Sequence, residues 1–105
     1  MASTPDVMPY LLPALRDATN DPHLRGAALT VYTWLVTNHL DTQEMRSVKV
    51  SGLSLTLRMK RHTVSRSLRT LCHRGYLERR YVAQQGYVYR AYAVRRADLD
   101  ERRAS

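Results

Sequence analysis

From residue 61 to residue 74 the chain reads Arg-His-Thr-Val-Ser-Arg-Ser-Leu-Arg-Thr-Leu-Cys-His-Arg, without one acidic side chain. Val64, Leu68 and Leu71 recur at the spacing of one helical face. His62, Ser65, Arg66 and Arg69 recur on a neighbouring face, with Lys60, Arg61 and Thr63 at its N-terminal end. Guanidinium groups fork onto the acceptors of a guanine edge, and hydroxyls reach phosphates or bases. Free amides at a helix start receive a phosphate. The chemistry this pattern can do is recognition of a polyanion, on a helix that fits a DNA major groove about 12 Å wide. A helix kept on the surface only for solubility mixes Glu and Asp among its cations. This one does not.

The charge of the whole chain supports that emphasis. Residues 1–45 hold two Arg against five acids, and residues 97–105 hold two Arg against three. Residues 46–96 hold eleven Arg and two Lys against the single acid Glu78, within a chain total of +8. A cationic block beside a mildly acidic segment implies a polyanionic partner, the alternative being a face charged only to stay solvated.

The elements that must position these residues follow from periodicity and punctuation. Pro13 suits the first position of a short helix over residues 13–18. Asp21-Pro22 is a helix start, and residues 21–40 carry two adjacent apolar stripes. Leu24, Ala28, Val31 and Leu35 form one, and Leu29, Tyr32, Val36 and Leu40 the other. Residues 47–50 read as a very short strand, and Ser51 as the cap and phosphate-facing start of a two-turn helix holding Leu53 and Leu57. A tight turn over residues 58–60 leads into the helix 61–74, which Gly75 terminates. Residues 76–82 and 87–94, rich in aromatic and β-branched side chains, flank a four-residue loop, 83–86, as a hairpin. The expected class is α+β, mainly α with a small β-hairpin. A three-helix core would carry a two-stranded wing, with residues 1–20 as an N-terminal extension, 21–96 as the domain and 97–105 as a charged tail.

This order, and residues 53–77 in particular, resemble bacterial winged helix-turn-helix regulators. The carrying pattern is Thr63-Val64-Ser65-Arg66-x-Leu68-x-x-Leu71-x-x-x-Gly75-Tyr76-Leu77, which is similar to MarR-like regulators and to related phage and plasmid replication-protein domains. The resemblance covers about residues 21–95. It implies that the helix 61–74 is a recognition helix, with Thr63, Ser65 and Arg66 on bases or phosphates. It also implies that Gln84 and Gln85 at the hairpin tip, with Arg80 and Arg90 beside them, lie in or over a minor groove. Arg79 joins them as a wing cation. Three positions depart from the family. Arg58 stands where a turn Gly is usual, Lys60 where a capping Ser, Thr or Asp is usual, and Leu55 where the family is polar, as though meeting the N-terminal segment.

The expectation is a cytoplasmic, sequence-specific double-stranded DNA-binding protein, most simply a transcriptional regulator. A replication-initiation or accessory module keeps the same fold, and a protein- or RNA-binding adaptor is the reading from another class. Surplus apolar side chains in the first third, Leu11, Leu12, Leu15, Tyr32 and Val36, imply a homodimer interface. The competing arrangement folds residues 8–18 back over the second stripe. No enzyme is expected, since neither a phosphate loop nor a nucleophile elbow is present. No cofactor or metal is expected either: His23, His39, His62 and His73 lack ligand spacing, and Cys72 has no catalytic neighbour in sequence. A membrane span, a signal peptide and a small-molecule effector are likewise not expected. Tyr76, Tyr81, Tyr87, Tyr89 and Tyr92 could stack on bases, but their hairpin positions favour cross-strand packing.

Overall fold

A computed structural model describes residues 8–40, 42–93 and 95, with side chains from Pro13 onward. In chain order these form α1 (Met8–Asn20), α2 (Ala27–Asn38), β1 (Arg46–Ser47), α3 (Val50–Leu57), α4 (Arg61–His73), β2 (Leu77–Val82) and β3 (Gly86–Ala91). The class is α+β. No helix among the described residues is long and apolar enough to cross a membrane.

Helix α2 is the centre of the core because both of its apolar stripes are covered within the chain. Val31, Tyr32 and Leu35 are fully buried and Val36 nearly so. Val64, Leu68 and Leu71 of α4, Ala14 and Ala18 of α1, and Leu77, Tyr89 and Ala91 of the sheet join the same cluster. Tyr32 and Val36 are therefore core residues, correcting their assignment to a dimer interface. Small alanines, Ala14 and Ala18, let α1 lie close against the core that Tyr32 and Val36 enter. Leu15 packs partly buried against the core, while the side chains of Leu11 and Leu12 lie outside the described residues.

Several boundaries differ from expectation for local reasons. Helix α1 begins at Met8, so Pro13 lies inside it rather than at its start. Proline donates no amide to the helical ladder, and the next amide, Ala14 N–H, donates to Ala93 O at 3.1 Å, tying α1 to the chain beyond β3. Helix α2 starts six residues after Asp21, at Ala27, because Gly26 takes a positive φ of 65°. The Asp21 carboxylate caps only a local turn, accepting from His23 N–H at 2.9 Å. Strand β1 is Arg46–Ser47, and Lys49 rather than Ser51 precedes the first residue of α3. Ser51 is an exposed residue of that helix's first turn.

Gly75 (φ 89°) ends α4 as expected. Tyr76 N–H returns to Leu71 O at 2.9 Å and Gly75 N–H to Cys72 O at 3.2 Å. This paired closure satisfies the last carbonyls and delivers Tyr76 into the core. The hairpin is part of a three-stranded antiparallel sheet of order β1-β3-β2, because β1 pairs Arg46 with Tyr89 and Ser47 with Val88. Gly86 pairs with Val82, leaving residues 83–85 as the loop. Positive φ at Gln84 (75°) and Gly86 (83°) makes the reversal.

Candidate nucleic-acid interface

The turn into α4 holds its geometry at some cost. Arg58 adopts the left-handed conformation, φ 55° and ψ 45°, which an L side chain resists by about 1 kcal/mol. Met59 N–H bonds to Ser54 O at 3.0 Å, and the Ser54 hydroxyl donates to Met59 O. Lys60 occupies the N-cap with no side-chain cap bond, and the first turn of α4 holds no acid. Lys60 O accepts from Thr63 and Val64, while the amides of Arg61 and His62 have no acceptor among the described residues. Cations at this end oppose the helix dipole.

One face of α4 is fixed by burial of Val64, Ser67, Leu68 and Leu71. Ser67 fits there because its hydroxyl donates to Thr63 O at 2.8 Å. The opposite face presents Arg61, His62, Ser65, Arg66 and Arg69, all exposed, with Thr63 half-buried and Lys60 exposed ahead of them. The side chains of Arg58, Lys60, Arg61, Arg66 and Arg69 form no hydrogen bond or ion pair with a described residue. All seven residues expected on the reading helix thus lie at its exposed side or its start.

The hairpin distributes its charge differently. Glu78 accepts from Arg80 at 3.0 Å and from Arg90, so both arginines are paired. Arg79 lies 4.6 Å from the centroid of the Tyr87 ring. Gln84 and Gln85 are exposed at the tip. Of the wing residues expected to meet phosphate, two are already engaged by the one acid in the basic block. Arg79 also acts on the Cys72 thiol and the Tyr89 phenol of the adjoining core edge. Burial pushes the Cys72 thiol up, with Arg79 opposing, so the thiol is a poor nucleophile. Cys72 shares a helical row with Ser65 and Arg69, and β2 packs against α4.

Sequence reasoning missed a second charged site. Arg74, counted with the basic block, donates its Nε and Nη2 to Asp21 at 3.0–3.1 Å, and the Tyr76 hydroxyl donates to the same carboxylate at 2.9 Å. The Asp21 side chain is 3% exposed. Burial pushes its carboxyl up, yet the bonds from His23, Tyr76 and Arg74 outweigh this and hold it below the usual carboxylate range. Burial and the Asp21 carboxylate push the Tyr76 phenol well up. The site staples the α1–α2 connection to the end of α4. No spacing rule links residues 53 apart, and the one local cue was the turn signal Asp21-Pro22.

Two shallow grooves meet at Trp34. One of about 370 Å³ runs between Leu35, Val48 and Leu53, and one of about 460 Å³ between Leu29, Thr33 and Leu57. Leu55, on α3, is 82% exposed, and much of the N-terminal segment it was expected to meet lies outside the described residues. Among the described residues no three of His, Cys, Asp and Glu converge on a metal-sized site. No protein-family model, curated protein or solved structure matches the chain.

Proposed function

We propose that the protein is a winged helix-turn-helix module that binds double-stranded DNA sequence-specifically and regulates transcription. In this reading α3, the turn at Arg58 and α4 are the helix-turn-helix, α4 enters the major groove, and β2–β3 is the wing. The observation that carries it is the set of exposed cations Arg58, Lys60, Arg61, Arg66 and Arg69, unpaired with any described residue, on and just before a helix without an acid. An uncapped N-terminus crowded with positive charge weakens a free helix and favours an anion beside it. Ser65, His62 and Thr63 add the neutral donors and acceptors that base edges require.

The experiment is selection of bound duplexes from a random DNA pool, followed by titration of the winning site at several salt concentrations. A common motif should emerge, and affinity should fall with salt at a log–log slope of about −3 to −4 if four cations meet phosphate. A pool with no enriched motif, together with salt-independent binding, overturns the reading. Placing the selected site at a promoter then tests the regulatory role, which predicts altered output only when the protein is present.

A further inference from the structure

The hairpin tip contrasts with the basic block around it. Nine consecutive residues, Tyr81 to Tyr89, carry no charge, although Arg79, Arg80 and Arg90 stand just outside them. Tyr81 lies opposite Tyr87 in the β2–β3 register, and their rings meet edge-on at 5.4 Å and 75°. Neither ring belongs to the core, and they remain 69% and 49% exposed. Tyr89, one step closer to the helices on the same face, is buried. An edge-on pair covers fewer ring faces than a stacked one. Arg79 lies over Tyr87, whereas Tyr81 keeps open ring surface.

A hairpin that only gripped phosphates would carry its cations at the tip. This tip offers phenol rings, with the amides of Gln84 and Gln85 beside them, groups suited to the flat faces and polar edges of bases. Bases inside a duplex have their faces already stacked, so a ring stacks at least cost on a base that is unpaired. Strand β2 packs against α4, the helix that carries the exposed cations, so one nucleic acid that meets α4 can extend to the hairpin.

We propose that the Tyr81–Tyr87 pair is a stacking platform for unpaired DNA bases, making the preferred ligand a duplex that borders a single-stranded tail or an opened base pair. This rests on the DNA-binding reading above and names the ligand class for the same surface. Arg79 holds the neighbouring phosphate, and the base lies against the Tyr81 ring.

The test uses the full chain and three probes: a blunt duplex, the same duplex with a short unpaired tail, and the tail strand alone. The first unpaired position carries 2-aminopurine, whose fluorescence is quenched on stacking. The tailed duplex should bind about tenfold more tightly than the blunt one, with quenching of the probe. Tyr81→Leu should abolish both the preference and the quenching while leaving blunt-duplex affinity unchanged, and Tyr81→Trp should restore both. Equal affinity of the unsubstituted protein for tailed and blunt duplexes overturns the inference and leaves the duplex reading intact. Failure to bind the blunt duplex overturns the duplex reading instead. The single strand then decides: binding with quenching that Tyr81→Leu removes supports the platform, and its absence overturns it.

Discussion

The arginines of α4 and those at its flanks are the same side chain doing opposite things. Arg61, Arg66 and Arg69 project from the helix without an ion-pair partner among the described residues, whereas Arg74, one residue past its end, is clamped to buried Asp21. Arg80 and Arg90 on the sheet share Glu78. A net charge counted along the chain treats all of these alike. Only the unpaired set is available to a partner at no cost, since a paired arginine must first give up a carboxylate. The difference predicts that flank arginines report in stability and α4 arginines in binding.

The largest effect should come from the clamp. Asp21→Asn places an amide donor against the guanidinium and leaves a buried site half satisfied, a loss of about 3 kcal/mol by urea denaturation. Arg74→Met, with its partly exposed partner side removed, should cost somewhat less. The pH dependence has a definite sign. Because the folded carboxyl of Asp21 sits below its unfolded value, its contribution is complete above the ordinary aspartate pKa of about 4. It drains away as pH falls from there through the folded value. Denaturation from pH 7 to pH 3 should show this loss in the natural sequence and a correspondingly shallower fall in Asp21→Asn. Identical pH profiles would remove Asp21 as the anchor.

How much of this was legible in the sequence depends on how far apart the determinants lie. The helix 61–74 was readable because apolar and polar faces alternate within one element, and Gly75 marked its end by a backbone requirement no other residue meets cheaply. The hairpin was readable from β-branched and aromatic runs about a turn. The extent of α1 was not, because Pro13 suggests a helix start more strongly than a helix interior. The start of α2 was misplaced because Asp21 is a good cap in isolation, and the tertiary pull of Arg74 and Tyr76 on its carboxylate is invisible locally. The pairing of Arg80 and Arg90 with Glu78 was hidden for a related reason. Arg90 reaches Glu78 only through the cross-strand register.

The binding side of the comparison is next in size. Arg66→Ala should leave the urea midpoint unchanged, since the side chain is exposed and touches no ion-pair partner. It should weaken the preferred duplex by about 1–3 kcal/mol and relax selectivity at one position. A shifted midpoint with unaltered affinity would invert the contrast. The helix start sharpens it further. Arg58→Gly relieves a left-handed L residue, and Lys60→Ser supplies a missing cap, so each should stabilise the fold by about 1 kcal/mol. Each should also weaken duplex binding through loss of a cation. Stabilisation without that loss would mean that these two charges serve nothing outside the chain.

The smallest and most discriminating change is Glu78→Gln. Glu78 is the only acid in residues 46–96, and it holds two hairpin arginines at once. The Glu78 side chain is only 16% exposed, but those of Arg80 and Arg90 remain 66% and 31% exposed. Pairs open to solvent on one side contribute up to about 1 kcal/mol, and Gln keeps the shape and one acceptor, so the fold should lose no more than that. Arg80 and Arg90 would then face solvent as the α4 arginines do. If pairing alone separates the two groups, duplex affinity should rise two- to threefold at low salt, with a log–log slope steeper by about one unit. That gain should disappear when Arg80→Ala is added to Glu78→Gln, whereas Arg80→Ala alone should change affinity little. Unchanged affinity and slope in a stably folded Glu78→Gln protein would mean that the sheet face carrying Glu78, Arg80 and Arg90 lies away from the phosphates, leaving the contact to α4 and the opposite, Arg79 face.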